Sequence, residues 1–268
     1  MPFPKVNQVN RVIYKTNLLD TVICQVRFPP ILKVDTETPA AFQEEVRSLY
    51  PNLTESSELL YIRVEPSQSP PEDFQQVRGT RDIKNYEFAS EDKKWKVDLT
   101  RNSLALSTKD YIRWEDFIGR FEKALQAFVG IYQPATFTRV GLRYVDVIVR
   151  SKLGLEGVDW GELIQDYISG VLVVDSIKGE IRSYENTFQV ALEGEGLVRV
   201  ITKTVQSSES GEHCYLIDSD FFSNRRIKHE EVFPVLNSFH DCALNLFRWC
   251  IKDKLHHAME ADQHDKQS

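Results

Sequence analysis

Residues 93–108, KKWKVDLTRNSLALST, decide the fold class. Trp95, Val97 and Leu99 alternate with Lys96, Asp98 and Thr100, the period of two that sends successive side chains to opposite faces of a strand. Such a strand belongs to a sheet that is wet on one face and covered on the other. Arg101, Asn102 and Ser103 supply a turn, and LALST returns as the next strand. The cover follows at once. From Trp114 to Tyr132, Phe117, Phe121, Leu125, Phe128 and Tyr132 recur at helical spacing, and Pro134 ends the helix.

Upstream, TVICQVRF at Thr21–Phe28 reads as a strand stopped by Pro29 and Pro30. Thr38 is placed to cap a helix with Pro39 at its first position and an apolar stripe of Phe42, Val46 and Leu49. Leu59–Val64 is expected as a short strand, PSQSPPEDFQQVRG at 66–79 as a surface loop, and NYEFAS at 85–90 as another strand. Downstream, Thr136–Arg150 is the longest strand signal. A short helix over Trp160–Ile168 and a strand over Gly170–Asp175 follow. YENTFQVALEG and LVRVITKTV then flank a turn at Gly194-Glu195-Gly196, and HCYLIDSDFF follows the polar SSESGE loop. Val232, Leu236, Phe239, Ala243, Leu246 and Cys250 mark a long closing helix whose spacing suits a core or a partner helix, and the tail after Met259 is expected to fray.

This order predicts an α+β chain of two consecutive antiparallel sheet units, 1–150 and 151–268, each followed by an amphipathic helix and possibly related by duplication. A length of 268 residues fits two modules of ordinary size. A net charge of -7 disfavours a protein whose main contact is the phosphate backbone. No apolar run approaches the roughly 20 residues that span a bilayer, and the first residues lack the apolar core of a signal peptide, so a cytoplasmic location away from membranes is expected. Cys24, Cys214, Cys242 and Cys250 are scattered without zinc spacing and read as buried, reduced thiols. With no G-x-G-x-x-G or G-x-x-x-x-G-K loop, no cofactor and no metal are expected.

The segment TRVGLRYVD is the most suggestive chemically. Alternation puts Arg139, Gly141 and Arg143 on one face and Tyr144 and Asp146 on the other. Two guanidinium groups beside a glycine suit a clamp for phosphate or carboxylate, or an ion-pair ladder with carboxylates such as Asp98 on a neighbouring strand. Asp218 and Asp220 share a strand face and suit either a magnesium site, with Glu212 and His213 nearby, or an exposed strand end. Trp114 with Tyr111, Arg113 and Arg101 suits core packing or a stacking patch for single-stranded nucleic acid. His240, His256 and His257 suit structural roles in the closing helix.

Five stretches, LLDTVICQVRF, YEFASEDKKWKVDLTRNSLALSTKDYIRWEDF, FTRVGLRYVDVI, YLIDSDFF and WCIKDKLHHAM, together resemble a sporadically distributed family of prokaryotic proteins of similar length, a family with no established activity. That resemblance implies a stand-alone bacterial or archaeal protein, patchily distributed as genes of mobile or defence-related loci are. Its most distinctive segment corresponds to Arg139, Gly141, Leu142, Arg143 and Tyr144. At the level of architecture the chain also resembles the export chaperone SecB and the SecB-like chaperones of toxin systems. The expectation is a non-catalytic, chaperone-like accessory protein of a stress or defence system, with a protein partner or self-association through the closing helix. The alternatives are a sensor or enzyme for a phosphate-bearing ligand gripped by the Arg pair, and a nucleic-acid-binding accessory protein.

Overall fold

The apolar face of a half-wet sheet needs a cover, and the computed structural model, which describes residues 13–59, 82–192, 196–207 and 210–262, shows how that need is met. In chain order the elements are β1 (Ile13–Tyr14), β2 (Leu19–Arg27), α1 (Leu32–Thr36), α2 (Ala40–Val46), β3 (Asn52–Leu59), β4 (Asp82–Ala89), β5 (Trp95–Thr100) and β6 (Ser103–Thr108). They continue with α3 (Trp114–Tyr132), β7 (Arg139–Ile148), α4 (Trp160–Leu163), α5 (Asp166–Ser169), β8 (Glu185–Ala191), β9 (Gly196–Gln206) and β10 (His213–Ser223). The described chain closes with α6 (Val232–Cys250), α7 (Asp253–Ala258) and β11 (Ala261–Asp262).

The α+β, antiparallel class is as expected. The strands β2 to β10 join in one nine-stranded sheet of order β3-β4-β5-β6-β2-β7-β10-β9-β8. Its middle is the β2–β7 pair, where Arg27 lies opposite Arg139 and Gln25 opposite Gly141. β7 pairs on its other side with β10, so strands from before and after residue 150 share one ladder. The sheet has no break at which two separate sheets would part.

Register explains the layering. Val22, Cys24 and Val26 of β2, Val140, Leu142 and Tyr144 of β7, and Tyr215, Ile217 and Phe221 of β10 are buried on one face. Onto that face pack α3, through Phe117, Phe121, Leu125 and Phe128, and α6, through Val232, Leu236, Phe239 and Leu246. The apolar stripe of α6 is therefore spent on β7 and β10, as its contacts with both strands show. No helix among the described residues is long and apolar enough to cross a membrane.

Several elements depart from expectation for identifiable reasons. Pro39 itself occupies the N-cap of α2 and Thr38 makes no capping bond. The region read as one helix over Trp160–Ile168 is split into α4 and α5 at Ile164, which bridges to Ile251 instead. Gly170–Asp175 is not a strand: Gly170–Val173 forms a 3-10 turn, Gly170 takes φ +52°, and Val171 and Val174 are exposed with no strand beside them. β3 begins at Asn52, where polar NLTESSEL carries no apolar signal, while 60–64 of the expected strand, the 66–79 loop and the Gly194-Glu195 part of the turn lie outside the described residues. Ala261 and Asp262, expected to fray, pair with Tyr14 and Ile13. His256 and His257 sit in the separate α7, which starts after the chain breaks helical form at Ile251. All four cysteines are free and buried.

Candidate functional site

The face of the sheet opposite the helices carries the charged residues of β2, β7, β10 and β9. Asp220 lies opposite Arg143 on β7 and opposite Arg199 on β9, and Phe222 lies opposite Gly141. These side chains share one face because successive residues alternate. Two features that looked separate in the sequence, the Arg pair and the Asp pair, are thereby brought together on adjacent strands.

They form a diagonal ladder. Arg143 donates through Nε and Nη2 to Asp218 at 2.7 and 2.5 Å, and Arg139 donates through Nη2 to both oxygens of Asp220 at 3.0 Å. Arg139 also reaches Gln25 at 3.4 Å, and Gln25 accepts from Arg27 at 3.1 Å. Arg199 lies 3.6 Å from Asp220 on the far side. The hydrogen bonds that Arg143 donates to Asp218, partly offset by burial, push its guanidinium further up its already high range.

Gly141 has a direct geometric role. To reach Asp220, whose strand position faces Arg143, the Arg139 side chain must run along the strand across position 141. A Cβ at Gly141 would overlap the guanidinium Nη1 and lie 3.1 Å from Cζ. The space that the glycine leaves is filled by Arg139, which also sits 4.9 Å above the Phe222 ring. We predict that Gly141→Ala displaces the guanidinium and costs about 1–2 kcal/mol. Urea unfolding checks this, and the cost should shrink to a few tenths in an Asp220→Ala background, where the guanidinium is already released.

The charges are layered. Asp218 and Asp220 are only 9% and 13% exposed, whereas Arg143 and Arg199 are 42% and 49% exposed. Arg27 is exposed as well. Three guanidinium groups, those of Arg139, Arg143 and Arg199, thus meet two submerged carboxylates while Arg27 reaches Gln25, and with Arg27, Arg143 and Arg199 uppermost the outermost charge here is cationic in a chain that is acidic overall. Arg27, Arg199 and Gln25 complete the cluster but attract no notice in the sequence, because their membership depends on strand pairing. Alternation in LVRVITKTV was the available signal for Arg199.

Other expected partners lie elsewhere. Asp98 accepts from Asn85 at 3.2 Å. Glu212 accepts from the Ser151 backbone and hydroxyl at 3.1 and 2.5 Å, and His213 is exposed at the strand end, so neither joins Asp218. Among the described residues no three His, Cys, Asp or Glu side chains gather as metal ligands would. Trp114 is buried, stacks on His240 at 4.4 Å and donates to Asn237, so it forms no surface patch, and Arg101 is paired with Asp35. Compared with known proteins, the chain matches no family model, no curated protein and no solved structure.

Proposed function

We propose that this is a non-catalytic binding protein which takes another protein onto the face of its sheet that carries no helix among the described residues. The observation that carries the reading is the layered ladder, with Arg143 and Arg199 outermost and the carboxylates submerged, near the centre of a nine-stranded sheet. Side chains whose charges are mutually paired are poor acids, bases or nucleophiles, but they make a fixed and specific surface. Half-buried aliphatic residues surround them, among them Ile23, Val145, Val147, Leu216 and Ile201. Apolar patches ringed by cationic groups suit an acidic protein segment with apolar anchors. Nucleic acid is a weaker fit, because single strands use exposed rings and the ring at this place, Phe222, lies under Arg139.

The same reading treats the sheet as two related units, divided before β7 and not at residue 150 as the sequence suggests. In each, a first strand (β2 or β7) is followed by helical turns and a meander, the last strand (β6 or β10) pairs back on the first, and a long helix (α3 or α6) closes the unit. Joined through β2 and β7, the two units offer one continuous docking face. Resemblance to the sporadically distributed prokaryotic family suggests the setting, an accessory or chaperone-like role in a cytoplasmic stress or defence system.

Affinity purification from the native host, comparing wild type with Arg27→Glu/Arg199→Glu, tests the proposal. Both residues are exposed and neither makes a bidentate pair, so the variant should stay folded, with a small drop in melting temperature from the like charge set opposite Asp220, while losing a stoichiometric, acidic protein partner. Recovery of the same partner with both proteins, of nucleic acid in its place, or of no partner with wild type would overturn it.

A further inference from the structure

A second site lies on the other side of the sheet. A cavity of about 140 Å3 opens between β7, β10, α3 and α6. It is walled by Tyr14, Tyr111, Trp114, Tyr144 and Phe247, with Asp146 among them. The walls are themselves fixed: the Tyr144 hydroxyl is 2.8 Å from His240 Nδ1, the His240 ring is stacked on Trp114, and the Tyr14 hydroxyl is 2.9 Å from His256 Nδ1. A β-bulge in β2 sets Leu19 opposite Asp146 and Thr21 opposite Val145, and Leu19 lines the cavity. Bulges of this kind re-aim side chains next to sites.

Asp146 has no place in the ladder. Its side chain is 8% exposed, and among the described residues no hydrogen bond or ion pair to it is found. Burial, and secondarily the charge of Asp218, raise its pKa to about 7. Among the described residues, neither Arg113, exposed at the cavity mouth, nor Arg248, which acts on the Tyr14 hydroxyl and reaches Asp253 at 3.3 Å, pairs with Asp146. A lone carboxyl within a wall of aromatic rings lacks one thing, a positive charge with an apolar body.

We propose that this cavity binds a small organic ammonium ion, its charge held against Asp146 and its body against the surrounding rings. The size is set by the volume, close to the roughly 150 Å3 of an apolar protein cavity that takes up benzene. This site is independent of the docking face, since β7 sends Asp146 to one side and Arg143 to the other.

The test uses the full chain at pH 8 with benzylamine, and with benzyl alcohol and benzoate as its neutral and anionic counterparts. Benzylamine at ten times its Kd should raise the melting temperature by roughly 3–5 °C. Benzyl alcohol and benzoate should give no comparable shift, and Asp146→Asn, which keeps the shape of the side chain, should abolish the benzylamine response. Arg113→Ala should tighten binding by removing a like charge from the mouth. An equal response to benzyl alcohol, an unchanged response in Asp146→Asn, weaker binding in Arg113→Ala, or no response to benzylamine would each overturn the proposal.

Discussion

Asp146→Asn should stabilise the protein at pH 8, by about 3–5 kcal/mol, and leave its stability at pH 4 nearly unchanged. The cause is the position of Asp146 on the helix-covered face, where burial and the charge of Asp218 lift its pKa from 3.8 to about 7. An acid with a raised pKa holds its proton in the folded state over a range where the unfolded chain has released it. Between pH 3.8 and about 7 the native state therefore binds more protons, and stability falls as pH rises through that window. Above the window the full penalty of the buried carboxylate is present, and below it both states carry the neutral acid. Asparagine is neutral throughout and so escapes the penalty. Urea unfolding of both proteins at pH 4, 6 and 8 reads the effect as a growing gap between two curves, which removes the contribution of every other carboxylate. Parallel stability curves would mean that Asp146 is ionised and compensated in the native state.

Asp220→Ala acts in the opposite direction, costing about 3 kcal/mol at neutral pH. Arg139 is 17% exposed and spends both ends of its guanidinium on Asp220 and Gln25, so removal of the carboxylate leaves a half-submerged cation with one weak partner. The partial exposure of the pair keeps the cost at the low end of what breaking a buried pair entails. Replacing both partners, as in Arg139→Met/Asp220→Leu, should recover most of the loss, because the apolar pair no longer pays to desolvate charge. Denaturant midpoints of the single and double variants check this. A loss below about 1 kcal/mol in the single variant would show that water already satisfies Arg139.

Local features of the chain were readable where one signal dominated. The helix from Trp114 to Tyr132 has a strong apolar period and a proline two residues beyond its end, and α3 has those bounds. The alternation of Trp95, Val97 and Leu99 placed the wet face of β5 correctly. Where an apolar run was short and partnerless, as in Gly170–Asp175, the same reasoning took a turn for a strand, because four apolar residues carry no period. β3 shows the converse: its backbone pairs with β4 although its polar side chains give no sign of a strand. The single sheet was hidden because the β7–β10 pairing joins segments far apart in sequence, and pairing partners are not written in either segment alone. The candidate site followed the same rule. Parity put Arg139 and Arg143 together and Asp218 and Asp220 together, but only the register made each pair the other's partner. Parity also put Asp146 on the face away from Arg143, while its isolation in an aromatic cavity depends on how α3 and α6 pack.

The proposed docking of a protein partner on the arginine-topped face of the sheet makes a direct prediction. Arginine modification by phenylglyoxal, read residue by residue by mass spectrometry on the complex from the native host and on the same protein after its partner is removed, tests it most directly. Arg27, Arg143 and Arg199 should be shielded in the complex and reactive once free, while Arg47 at the end of α2 reacts equally in both. Equal reactivity of the three sheet arginines in the two samples would contradict the account.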